Sequence, residues 1–229
     1  MATAIRTTDY TRDRPRGPAA ALIPATADPA PLGLAAFATT TLMLSAVNAD
    51  WIAKGVEPAV LAMALFFGGA VQVLAGMWEF RRANTFAAVA FSSYGAFWLS
   101  FWALNQFYVA KIPAANLSDA VGLFLLVWAI FTTYMALASL RVSLAVFFVF
   151  VALAVTYWLL MAGNFNDSTS LLKAGGWAGV ITAALAFYAS FAGVLNDTWK
   201  RTVLPVVPLA PAPAPAGEPM ESREEAAVR

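Results

Sequence analysis

The chain has 229 residues, 61% of them hydrophobic and 12% charged, with a formal net charge of +1. Soluble domains average about half apolar and about a quarter charged, so this composition, with a mean hydropathy of +0.70, points to a membrane protein and carries no nucleic-acid signature. There is no cysteine and no histidine, which removes disulfides, the commonest metal ligand and the usual neutral-pH proton carrier.

Residues 1–27 read as a polar, disordered tail without periodicity. A secretory signal is not expected, because the apolar stretch 19–23 is bounded by Pro18 and Pro24 and is too short. The membrane domain is expected over 28–202, opening on Asp28-Pro29-Ala30-Pro31-Leu32-Gly33-Leu34. Proline lacks an N–H and suits the first turn of a helix, so a helix starts abruptly here with unpaired N–H groups. Such a start is either a plain helix signal or, facing a polar passage, a place for a small anion.

Six apolar runs follow, at 32–47, 58–78, 86–109, 120–140, 142–162 and 174–195. Each is close to the ~20 residues that cross a hydrocarbon core. The first is short and, with Thr39, Thr40 and Thr41, reads as the least hydrophobic. Counting it puts both termini on one side. That side then holds Arg6, Arg12, Arg14, Arg16, Arg81, Arg82, Arg141, Lys200, Arg201, Arg223 and Arg229, against Lys54, Lys111 and Lys173 on the other. The positive-inside rule makes the arginine-rich side cytoplasmic. Residues 203–229, with six prolines between Pro205 and Pro219, favour an extended, solvated tail. No strand pattern is present, so the fold class is all-α and polytopic.

No Asp, Glu, Lys or Arg falls at the centre of a span. This argues against an ion pump with a buried carboxylate chain and against a retinal protein, since Lys173 lies at a helix end. Uncharged polarity remains. Thr41, Ser45 and Asn48 share a face of the first span, and Gly68, Gln72 and Gly76 form a stripe on the second, with Glu79 one turn on. Ser92, Ser93, Tyr94 and Asn105 decorate the third, Thr156 and Tyr157 the fifth, and Thr182, Tyr188 and Asn196 the sixth. Hydroxyls can simply bond their own helix. Gln72 is different, because a mid-span amide needs partners or water; it is either interhelical glue or pore lining. Gly175, Gly179 and Ala183 give a small-residue stripe for close packing within or between protomers. Trp51, Trp78 and Trp199 fall at the expected interfaces.

These residues resemble the acetate uptake transporters of the succinate–acetate permease type. The opening heptad is similar to that family's Asn-Pro-Ala-Pro-Leu-Gly-Leu signature, with Asp28 in place of asparagine. Phe66-Phe67-Gly68-Gly69, Gln72, Ala75-Gly76 and Glu79 resemble its second helix; Asn84-Thr85-Phe86 and Ser92-Ser93-Tyr94-Gly95-Ala96-Phe97-Trp98 its third; Gly175-Gly176-Trp177 and Val194-Leu195-Asn196 its sixth. The resemblance covers about residues 27–205. It implies six helices per protomer, a homohexamer in the plasma membrane, and a passage in each protomer for acetate and related carboxylates such as succinate or lactate. It also implies a hydrophobic constriction, which falls by position on Phe37, Tyr94 and Leu153.

The expected substrate-contacting set is Asp28, Pro29, Pro31, Leu32, Gly33, Thr41 and Gln72, with Glu79 and Asp28 as the carboxyls able to handle a proton. Asp28, if it faces the passage, should slow anions or favour the neutral acid. No cofactor or metal is implied. The competing readings are a path for another small solute such as ammonium, a membrane sensor or scaffold, and a membrane enzyme. The lack of histidine, the short tails and the lack of clustered catalytic groups speak against them in turn.

Overall fold

The computed structural model describes residues 26–209; the arginines of 1–25 and the proline-rich and charged stretch 210–229 lie outside the described residues. Seven α-helices make six spans. They are α1 (Ala30–Asn48), α2 (Glu57–Leu65), α3 (Gln72–Arg81), α4 (Thr85–Ala103), α5 (Leu117–Ser139), α6 (Leu144–Phe165) and α7 (Thr169–Trp199), with α2 and α3 joined as one rod by a π-helical turn, Phe66–Val71. All six expected runs fall on helical spans, which extend past the apolar limits except where the fourth stops at Ser139 and the fifth starts at Leu144. The first run is not the least apolar, however; the third span is, because Ser92, Ser93, Asn105 and Gln106 dilute it.

The connections are tight. Asp50, Ala83 and Asp167 between helices, and Lys200 after α7, adopt left-handed backbone angles, which end a helix within one residue. Asn84, Ser143 and Ser168 then cap α4, α6 and α7 by accepting from Ala87, Val146 and Leu171 N–H.

Helix α7 packs along both α1 and α6, and α6 along α5. The small-residue stripe lies inside the protomer: a side chain at Gly175 would strike Leu160 of α6, and one at Gly179 would strike Ser45 of α1. Helix α4 packs on α3 but stands off from α5. Aromatic rings fill that gap. Tyr94 packs edge-on to Phe131 at 5.4 Å, and Phe97 meets Phe124 at 5.5 Å and Trp128 at 5.2 Å. Such pairs add about 0.5–1.5 kcal/mol beyond burial.

The outside is apolar, with Phe66, Leu137, Ile181 and Phe191 all more than half exposed. That is the surface a bilayer requires. At the helix ends Arg81 sits over Trp78 and Arg201 over Trp199, an amphipathic arrangement suited to the headgroup level.

The tail expected from residue 203 is tied down at its start. Asn196 Oδ1 accepts from Val203 and Leu204 N–H at 2.7 and 3.0 Å, and its Nδ2 donates to Leu204 O at 2.8 Å. Residues 206–209 then run beside the α5–α6 junction. Leu144 and Ala145 N–H donate to Val207 and Val206 O, and Leu209 N–H to Val142 O. Two otherwise unpaired N–H groups of the α6 start are thereby satisfied.

Candidate functional site

Two cavities enter the bundle from opposite ends. The first, ≈ 100 Å³, begins at Ala30, Asn84 and Val142 and runs past Gln72, Phe37 and Tyr94 to Leu153. The second, ≈ 240 Å³, begins at Asn48, Glu57, Val109 and Asn164 and runs past Thr41, Ser45, Thr156 and Tyr157 to the same Leu153. Leu153 lies in both walls and is 3% exposed.

Of the three residues expected at a constriction, Phe37 and Tyr94 line the first cavity and Leu153 is the residue it shares with the second. The Phe37 and Tyr94 rings are 5.8 Å apart, and the Tyr94 hydroxyl shares a 2.8 Å hydrogen bond with Thr132 of α5. That bond fixes the ring across the space between α4 and α5. Thr132 was not foreseen, since a lone threonine in a span is ordinarily a packing residue.

Gln72 is buried in the wall of the first cavity, and its Oε1 has no protein partner. Its position follows from the π-helical turn just before it, which takes an extra residue per turn and re-aims what comes next. Thr41 lines the second cavity instead, with an Oγ1 likewise unpartnered. The expected polar pair Gln72 and Thr41 is thus divided between the two cavities. Several other hydroxyls serve their own helices: Thr40 donates to Ala36 O, Thr156 to Ala152 O and Thr182 to Ala178 O.

The opening heptad is placed differently from a single binding patch. Gly33 lies against the Phe91 ring, where a side chain would collide. Pro29 is buried, and Pro31 O accepts from Ser190 Oγ at 2.7 Å, locking α1 to α7. Asp28 and Leu32 are exposed and line a recess between α1 and α7 on the outside of the bundle, not either cavity. The helix start is a poor anion site, because two of its first positions are proline and Ala30 N–H already donates to Asp28 Oδ1 at 3.1 Å.

Asp28 also pairs with Arg82, in the connection between α3 and α4. Arg82 Nη1 stands 4.0 Å from Glu79 Oε2, too far for a hydrogen bond. Both Glu79 oxygens are buried without a hydrogen-bond partner. Asp28, Arg82, Glu79 and the α4 cap Asn84 thus form one polar group beside the first cavity's mouth. The Asp28 charge is compensated by Arg82 rather than turned toward the passage. The i,i+3 spacing of Glu79 and Arg82 was visible in the sequence; the Asp28 contact, across 54 positions, was not.

Among the described residues no group of His, Cys, Asp and Glu could hold a metal ion.

The sequence model described as the GPR1/FUN34/yaaH family matches residues 15–211. The chain is 38% identical over 185 residues to the succinate-acetate/proton symporter SatP of Escherichia coli K12, covering 79% of this chain and 95% of that one. It is 39% identical over 189 residues to ammonia transport outward protein 2 of Saccharomyces cerevisiae, covering 80% of this chain and 66% of that one. A solved structure of the bacterial acetate channel SatP superposes with a TM-score of 0.75 at 37% identity, covering 80% of this chain and 99% of that chain.

Proposed function

Because the chain belongs to the GPR1/FUN34/yaaH family, we propose that it carries acetate and related small carboxylates, such as succinate or lactate, across a membrane through a passage in each protomer. The observation that carries this reading is the pair of cavities separated by Leu153, with Phe37 and Tyr94 beside it and no charged side chain at the meeting point. The names of the similar proteins point the same way.

Recognition is divided between the two ends of the molecule carried. Gln72 on one side, and Thr41 and Ser45 on the other, offer hydrogen bonds that replace water around a carboxyl group. The aromatic and aliphatic ring accepts the methyl end and interrupts the water column, so that a small permeant passes where strongly hydrated ions do not. Glu79, the one carboxyl fully buried in a span among the described residues, is positioned to exchange a proton near the first mouth. Asp28 acts there only through Arg82. Pro29, Pro31 and Gly33 serve by fixing α1 rather than by touching the permeant.

The arginine-rich end, with Arg81, Arg82 and Arg141, is assigned to the cytoplasm of a plasma-membrane protein. Assembly as a homohexamer is supported by the family resemblance. The protein is a transporter, not an enzyme.

The test is flux of labelled acetate, lactate, succinate and ammonium into liposomes holding the purified protein. Voltage-driven acetate current identifies an anion channel, and electroneutral, pH-driven uptake identifies proton-linked transport. Phe37→Ala and Tyr94→Ala should change the ratios among the acids. Acetate flux no faster than in protein-free vesicles refutes the reading, and ammonium flux in its place would favour the activity named for the yeast relative.

A further inference from the structure

The mouth of the second cavity contains a carboxylate. Glu57 is the first residue of α2 and lines that cavity alongside Asn48, Asn105 and Asn164. It forms no ion pair among the described residues. Two of the cations of that end are engaged elsewhere: Lys173 binds Asp50 at 2.7 Å, and Lys111 lies over the Tyr108 ring at 5.1 Å. Lys54, three residues before Glu57, forms no ion pair with it or with any other described acid. Of the other acids at that end, Asp167 accepts from Ser118 at 2.6 Å, and Asp119 starts α5.

The two asparagines face a definite way. Asn105 Nδ2 donates to Phe101 O at 2.9 Å and Asn164 Nδ2 to Leu160 O at 2.8 Å. A carbonyl only accepts, so the amide nitrogens must face their own helices and the amide oxygens must face away from them. Both residues line the cavity. Its mouth is therefore rich in acceptors and carries the Glu57 carboxylate, which has no ion-pair partner among the described residues. Hydroxyls able to donate, on Thr41 and Ser45, stand deeper. A carboxylate arriving at this mouth meets the like charge of Glu57 and the Asn105 and Asn164 oxygens, with Asn48 the main amide donor, whereas a protonated acid can donate its O–H to those acceptors.

We propose that Glu57, with the amide oxygens of Asn105 and Asn164, is a charge filter at the second mouth that disfavours the carboxylate anion and favours the protonated acid. This rests on the transport reading above. It assigns a specificity role to a residue outside both the constriction and the opening heptad.

The experiment is acetate uptake by the full-length protein in liposomes of zwitterionic lipid, at about pH 7, where short acids are almost wholly ionised. Wild type is compared with Glu57→Gln and Glu57→Lys across a range of ionic strength. Removing a like charge within a few ångströms of the permeant should lower KM about three- to tenfold at low salt, and Glu57→Lys should lower it further. Wild-type KM should fall as salt screens the charge, whereas Glu57→Gln should lose that dependence. Wild-type KM insensitive to salt overturns the filter, even if neither variant folds. So does an unchanged or raised KM in Glu57→Gln, or loss of its flux while wild type stays active. No acetate flux in wild type is a separate failure, that of the transport reading.

Discussion

Shortening Leu153 to alanine tests the constriction most directly, because that side chain stands in the walls of both cavities. At 3% exposure it is part of the core, and a buried Leu→Ala change costs about 2–5 kcal/mol. Empty space already flanks it on two sides, so its lost contacts are fewer and the cost should fall at the low end, about 2 kcal/mol. The gain is continuity: spaces of ≈ 100 and ≈ 240 Å³ become one. Removing three carbons frees room for about two waters at roughly 30 Å³ each. It also removes apolar surface worth about 0.8 kcal/mol per methylene in water contact. A barrier drop of only about 1.4 kcal/mol is tenfold in rate, so the variant should pass succinate and lactate about tenfold faster relative to acetate. Leu160→Ala is the control, since Leu160 is also buried but lines the second cavity alone. Liposome flux ratios, with thermal unfolding in detergent to confirm assembly, read both effects. Equal ratios in wild type and a folded Leu153→Ala would refute a gate at this position.

Arg82→Ala should destabilise the protein by about 1–3 kcal/mol, because it strips the nearest cation from buried Glu79 and the partner from Asp28. Glu79→Gln in the same chain should recover most of that loss in Tm, and no recovery would show that Arg82 acts some other way. Asn196→Ala removes three hydrogen bonds to residues 203 and 204, each worth about 1 kcal/mol. It should expose 203–209 to limited proteolysis well before the helices are cut. The Lys173 ammonium, beside Asp50 at 2.7 Å, holds the Asp50 carboxyl below its ordinary value of 3.8. The folded value is the lower one, so the contact stabilises fully above the ordinary value and is lost as pH falls through the depressed one. Trp51, stacked on Trp177 at 6.1 Å beside this pair, should report the loss as an acid fluorescence transition absent from Asp50→Asn.

The six spans and their apolar exterior were legible from the chain alone, because a bilayer demands about 20 consecutive apolar residues whatever the neighbours. The sites were legible only in part. Gln72 stood out because an amide in a span must be answered, and the aromatic at 37 and tyrosine at 94 were located through resemblance. Residue order could not say that Thr41 and Gln72 line different cavities, since that depends on how α1 and α3 rotate about their axes. Those rotations are set by close approaches: Gly68 to Thr40, Gly76 to Ser92 and Gly179 to Ser45.

Nor could composition show that 203–209, rich in proline, would be held. Proline keeps its carbonyl and leaves its neighbours' N–H groups free, and the α6 start and Asn196 supply partners only once the helices are packed. Asp28 shows the same division. Its charge was plain, and its direction was not. Whether a carboxylate meets an anion or an arginine is decided by which loop end folds beside it, and Arg82 arrives from 54 positions away. Transfer into lipid is a property of each segment and can be summed along the chain; the facing of a polar group is a property of pairs and exists only in the assembled bundle.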